Sequence, residues 1–135
     1  PSVILSFFSV MIATKALEAK GKAKIVEKSW GREIWMANNE SEDYCGKILE
    51  INACSNTSLH FHANKHETFY ILSGQLRIDI VDTETTAVSS VLLNKEETFS
   101  IDRCVPHKLI AEKNPVTFVE ISTFHEDSDS YRVSK

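Results

Sequence analysis

From residue 24 onward the chain is a succession of short runs rich in β-branched and aromatic residues, closed by turn residues such as Asn38-Asn39, Ser73-Gly74 and Lys113-Asn114-Pro115. No stretch there is long and periodic enough for a helix. Short runs of this kind at regular spacing belong to a sandwich or barrel. Strands are expected at 23–27, 32–36, 46–53, 58–62, 68–72, 76–81, 87–93, 98–101, 107–111 and 116–123. Side chains alternate along a strand, so residues two apart share a face. Lys47 then continues a row with Leu49 and Ile51, Glu67 with Phe69 and Ile71, and His107 with Leu109 and Ala111. Three separate strands thus aim a polar residue along an otherwise apolar interior face. Burying the Glu67 carboxylate alone would be costly. A cation beside it would remove most of that cost.

At 135 residues the chain is expected to hold one domain, residues 24–135, behind an N-terminal extension of residues 1–23. Residues 1–12 are apolar but too few to span a bilayer, and they lack the basic start of a secretory signal. Met11 is a candidate start site. Residues 12–23, rich in Ala, Lys, Leu and Glu, read as a short helix or a disordered lead-in. A formal net charge of −4 argues against a nucleic-acid partner, and no membrane partner is expected. Cys45, Cys54 and Cys104 are odd in number, scattered and without a CxxC pair, which fits a reducing cytoplasm better than a disulfide framework or a thiolate metal site. The acidic stretch Glu126-Asp127-Ser128-Asp129-Ser130 reads as solvated, although Tyr131 and Val133 can dock the tail. His125 beside it is expected on the surface.

The chemistry concentrates in His60-Phe61-His62, Glu67 and the distant Pro106-His107. His60 and His62 point to one face of a strand. Two imidazoles and a carboxylate on adjacent strands, joined by a third imidazole, can form one metal site. Three neutral nitrogens and one anionic oxygen suit one divalent transition metal per chain: Zn, Mn, Fe, Ni or Co. His66, next to Glu67, should face away. Lys47, Lys65, Arg103 and Lys108 are candidates for binding an anionic substrate group. Glu120 lies in the apolar run 116–121 and is either a buried, paired carboxylate or an outward-facing one. Trp30 and Trp35 read as core or interface anchors.

HxH, four residues, a glutamate, six residues, Gly74, and later Pro106-His107 make a pattern that resembles the cupins. The resemblance implies a double-stranded β-helix, the cupin jelly-roll barrel, with His60, His62, Glu67 and His107 as metal ligands. Over roughly residues 25–133 the chain is similar to the type II mannose-6-phosphate isomerase cupin module. The match lies in Lys28-Ser29-Trp30-Gly31, in Thr57-Ser58-Leu59-His60-Phe61-His62 with Lys65 and Glu67, in Val105-Pro106-His107-Lys108, and in Val119-Glu120-Ile121 followed by Glu126-Asp127, Asp129 and Tyr131-Arg132. That family usually has glutamine where His60 stands, arginine where Lys65 stands, and a His-Trp pair where Thr68-Phe69 stands.

The resemblance implies a metal-dependent aldose–ketose isomerase of a sugar or sugar phosphate. Lys47 and Glu120, with His66 behind them, are the candidate bases that move a proton between two carbons. Lys65 or Arg103 would hold a phosphate. An Fe(II)-dependent dioxygenase and a non-catalytic sugar- or metabolite-binding module fit the same ligands. The partners expected are a small carbohydrate-type molecule and a second copy of the chain, because small jelly rolls have sheet edges to protect.

Overall fold

The structure is a computed structural model and describes residues 16–134. Residues 16–18 form a single helical turn. The expectations for residues 1–12 and for Met11 fall outside the described residues. The strands are β1 (Lys24–Lys28), β2 (Gly31–Asn39), β3 (Tyr44–Ile51), β4 (Ser55–Asn56), β5 (Leu59–His62), β6 (Glu67–Ser73), β7 (Leu76–Val81), β8 (Val88–Leu93), β9 (Thr98–Ile101), β10 (His107–Ala111), β11 (Val116–Ser122) and β12 (Ser130–Ser134). They build two antiparallel sheets. One runs β1-β2-β3-β11-β6-β9, and the other runs β12-β5-β10-β7-β8 with β4 added on β10. The chain crosses repeatedly between sheets, so β3 lies beside β11 and β5 beside β10. This is the jelly-roll arrangement expected.

Alternation decides what lies between the sheets. In β3, Cys45, Lys47, Leu49 and Ile51 are buried, and in β11, Val116, Phe118, Glu120 and Ser122 are. Register aligns like with like: Phe118 pairs across to Leu49 and Ile71, while Glu120 pairs to Lys47 and Phe69. The apolar core, with Leu49, Ile51, Phe69, Ile71, Leu76, Ile78, Leu109 and Phe118, therefore fills one part of the barrel. Each such side chain contributes about 1.5–3 kcal/mol on burial. The strands then carry polar residues onward to a second level, which holds Lys47, Glu67, His107 and Glu120.

Gly74 turns β6 into β7 at φ +80°, where a side chain would run into the Pro115 carbonyl. The glycine of the sequence motif is thus required by a close backbone approach. All ten expected strands are present, with ends shifted by a few residues. The tail docks, as Tyr131 and Val133 allowed, and Glu126, Asp127, Ser128 and Ser130 are exposed as expected, but Asp129 is not. Residues 130–134 form β12 and pair with β5, and Asp129 is buried. Asp129 alone of the acidic stretch is buried, because the strand carrying His60 and His62 and the loop after it, far away in sequence, pack against it. Among the described residues no helix is long and apolar enough to cross a membrane.

Candidate metal centre

His60 and His62 stand on β5, and His107 stands directly opposite His60 on β10. Glu67 comes from the other sheet, at the start of β6. One ring nitrogen of each of the three histidines lies within 4.8 Å of the other two. Glu67 Oε2 lies 3.7 Å from His62 Nε2 and 3.6 Å from His107 Nε2. Those distances are too long for hydrogen bonds.

Three backbone carbonyls set the tautomers. His60 Nδ1–H donates to the Ser58 carbonyl at 2.8 Å, His107 Nδ1–H to that of Val105 at 2.9 Å, and His62 Nδ1–H to that of Asp129 at 3.2 Å. A carbonyl oxygen only accepts, so each Nδ1 carries the proton and each Nε2 keeps its lone pair. Burial, then the Lys65 charge, pushes His62 down to about 3. Burial, then His60, pushes His107 down to about 4. Burial lowers His60 as well. All three rings are neutral donors at physiological pH. Glu67 goes the other way, pushed up to about 8 by burial and by the nearby Glu120.

Glu67 Oε2 and His107 Nε2 are buried with no hydrogen-bond partner. Buried polar atoms are rarely left unsatisfied, and two orphaned acceptors facing each other want a cation between them. Three imidazole nitrogens and a carboxylate are a donor set for a divalent transition metal. The residues present fit the ion that the motif implies.

A cupin-domain family model matches residues 48–122 of the sequence. The chain belongs to the cupin family. No curated protein matches this cupin. Among solved structures it is similar to the capsular polysaccharide assembling protein CapF from Staphylococcus aureus, with a TM-score of 0.75 and 13% identity over 86% of this chain and 35% of that one. It is also similar to a Lactobacillus farciminis oxalate decarboxylase in a formate complex, with a TM-score of 0.72 and 16% identity over 82% of this chain and 34% of that one. A Bacillus subtilis oxalate decarboxylase, OxdC, aligns with a TM-score of 0.73 and 15% identity over 82% of this chain and 30% of that one. The cupin spans about a third of the length of these proteins, and the likeness is one of fold.

His60, His62 and Glu67 border a cavity of ≈ 600 Å³ whose walls also carry Lys47, Lys65, Glu120, Glu33 and His125. Lys65 is 3% exposed. Its ammonium donates to Glu120 Oε2 at 3.1 Å and to His125 Nδ1 at 3.1 Å, and stands 3.7 Å from Glu67 Oε1. Burial alone would lower this ammonium, but Glu120 and Glu67 outweigh it and hold Lys65 above its ordinary value. Burial alone would likewise raise Glu120, but Lys65 and then Lys47 pull it down to about 2. Glu120 is therefore the buried, paired carboxylate of the two alternatives. Lys47 is 1% exposed, lies 3.3 Å from Glu33 Oε1, and sits 4.2 Å from the centre of the Trp35 ring. Trp30 packs against the core and lines the cavity.

The other candidates lie elsewhere. Arg103 is exposed and donates its Nε–H to the Asn64 carbonyl at 2.8 Å, and it is not among the cavity-lining residues. His66 is half-buried, follows Lys65 into the loop and does not line the cavity. Lys108 alternates with the inward His107 and lies on the outer side of β10.

Two residues matter more than their sequence context suggests. His125 was expected on the surface, yet its side chain is only 9% exposed. Asn38 clamps its backbone from both sides, accepting from its N–H and donating to its carbonyl at 2.9 Å each, and this folds the segment over the cavity. His125 Nδ1 receives the Lys65 proton donor and its Nε2–H donates to Asp127 at 2.9 Å. Asp129 stands in an acidic run and in the family match, and the sequence alone assigns it no role. Its carboxylate accepts the backbone N–H groups of Ala63, Asn64 and Lys65, at 3.0 Å from each.

Proposed function

We propose that this cupin is a metal-dependent enzyme acting on a small oxygenated substrate, an aldose–ketose isomerase of a sugar or sugar phosphate. The observation that carries the reading is the buried, unpartnered pair Glu67 Oε2 and His107 Nε2, which face each other beside a polar cavity with room for a monosaccharide. A divalent ion held by His60, His62, His107 and Glu67 would supply Lewis-acid polarisation of a carbonyl.

The protein's own groups divide the remaining work. Glu120, ionised, can accept a proton from the carbon that bears the hydroxyl group. Lys47 can donate one, and Glu33 and Trp35 hold it in place. Lys65 keeps Glu120 and Glu67 apart as carboxylates of unlike basicity. Because Lys65 is engaged and Arg103 lies outside the cavity, the phosphate of a phosphorylated substrate is assigned to Lys28 and Arg132, which line the cavity and make no ion pair among the described residues. The similar structures add support. Oxalate, the substrate in one name, and a tropolone, the inhibitor bound to CapF in another, both present two adjacent oxygens, as a hydroxy-carbonyl sugar does. The free thiols Cys45, Cys54 and Cys104 support the expected cytoplasmic setting.

The test is a screen of aldoses, ketoses and their phosphates with protein reloaded with Zn, Mn, Fe, Ni or Co. Solvent deuterium appearing in the product without oxygen uptake is the expected result. Oxygen consumption with iron alone would replace the isomerase with a dioxygenase. Ligand-dependent stabilisation without turnover would make the protein a binding module.

A further inference from the structure

The two oxygens of Glu67 face different neighbours. Oε2 lies 3.7 Å from His62 Nε2 and 3.6 Å from His107 Nε2, with no hydrogen-bond partner. Oε1 faces the Lys65 ammonium at 3.7 Å. One carboxylate thus borders two places for a cation, and Lys65 fills one of them. Lys65 is fixed at both ends. Its backbone N–H donates to Asp129 Oδ2 at 3.0 Å, and its ammonium donates to Glu120 Oε2 and to His125 Nδ1 at 3.1 Å each. The side chain is 3% exposed, so solvent screens little of its charge. The other charges of the inner cavity pair off. Lys47 stands against Glu33 at 3.3 Å, and Lys65 against Glu120 at 3.1 Å. The imidazoles, each with one N–H on a backbone carbonyl, add none. Glu67 is left over, and a divalent ion seated on it leaves a surplus of one positive charge. Without the Lys65 charge, Glu67 and Glu120 together would balance the same ion.

We propose that Lys65 sets the charge of the ligand this centre takes: with a divalent ion in place, the inner cavity receives a ligand that spreads one negative charge over two adjacent oxygens. The 2-hydroxy carboxylates are stable ligands of that class. A hydroxy-carbonyl sugar acquires the same charge when it gives up a proton. A surplus charge in a buried place is unfavourable by itself, and a ligand of opposite sign relieves it. The centre then holds the deprotonated form more tightly than the neutral one, which is the condition for accelerating the proton's removal. Lys65 acts here through its charge and is a positioning residue, since its ammonium is already engaged by Glu120 and His125. The inference rests on the metal occupancy proposed above and holds whether or not the reaction is an isomerisation.

Calorimetry on the zinc-loaded full chain tests it, once elemental analysis has measured the bound zinc. Glycolate and glycolamide are the probes. They present the same two oxygens and differ by one charge, and neither carries a second group for Lys28 and Arg132 on the cavity wall to hold. The reading is the ratio of their affinities. Lys65→Met should cut the wild-type ratio by roughly tenfold or more while raising zinc affinity. Lys65→Arg, which keeps the charge, should restore both. Glu120→Gln keeps an oxygen for the Lys65 ammonium and removes the opposing charge. It should move both readings the other way, and it decides the matter if Lys65→Met does not fold. A ratio that stays unchanged in Glu120→Gln, or that shifts in the same direction in both variants, overturns the proposal. So does glycolate binding equally well to metal-free protein. A chain that takes up no zinc overturns it together with the metal reading, whereas a loaded chain with an unchanged ratio overturns it alone.

Discussion

His62 and Asp129 lie 67 residues apart and meet at the candidate metal centre, the Nδ1–H of one donating to the backbone carbonyl of the other at 3.2 Å. The Asp129 carboxylate at the same time holds the three amides that follow His62 in the loop toward Glu67. One residue therefore fixes a ring tautomer and the path between two candidate metal ligands, His62 and Glu67.

Asp129→Ala leaves three amide donors without an acceptor, that of Lys65 buried and those of Ala63 and Asn64 partly so. The expected cost is about 2–4 kcal/mol of stability, with a metal affinity lower by roughly 10–100-fold. Chemical denaturation and chelator competition measure the two separately. Wild-type affinity in a folded variant would show that the loop needs no such support.

His62→Ala and His107→Ala should lose bound metal more severely than any change around the site, beyond the ~10–100-fold typical of outer partners. His66→Ala should retain it, because His66 is not among the grouped histidines His60, His62 and His107. Elemental analysis of untagged protein decides. Equal loss in all three variants contradicts the assignment.

Metal uptake should release a proton. The histidines sit at about 3 and about 4, so they are already neutral at pH 7, whereas Glu67 at about 8 is still protonated without the ion. Affinity should rise with pH up to about 8 and then level off, with nearly one proton released per ion at pH 7. Calorimetry in two buffers of different ionisation enthalpy gives the count. The metal-free protein should show the matching stability trend. Because the folded-state value of Glu67 is raised, its contribution is fully present below pH 4.5 and fades as pH rises toward 8. The depressed histidines act the other way and add stability as pH rises from about 4 to 6.5. The Glu67 effect therefore stands alone between 6.5 and about 8, and a metal-free protein whose stability climbs through that upper window would contradict it.

Lys65→Met removes the cation that keeps Glu120 ionised in a buried place. Breaking such a pair by deleting one partner costs about 3–5 kcal/mol. The sign with pH follows from the wild-type Glu120, held down at about 2, whose pairing contributes stability above 4.5 that fades as pH falls toward 2. The penalty of the substitution should therefore be largest near neutrality and shrink in acid, where the stranded carboxyl takes a proton. A penalty independent of pH would assign Lys65 a packing role only.

Much of this was legible in the chain itself. Alternation placed Lys47, Glu67 and His107 on the buried faces of their strands, because a period of two survives whatever the strand pairs with. The spacing of His60, His62, Glu67, Gly74 and His107 pointed to the cupin barrel. The sequence alone could not decide between a buried and an exposed Glu120, since that depends on whether Lys65 and Lys47 stand within reach of it. It placed His125 and Asp129 in solvent, because both owe their burial to Asn38 and to the loop after His62, partners remote in the chain. Local pattern determined which residues point inward and which can bind a metal. Only the folded sheets decided which charges meet, since ion pairs and orphaned acceptors arise from strand register and the crossing of two sheets.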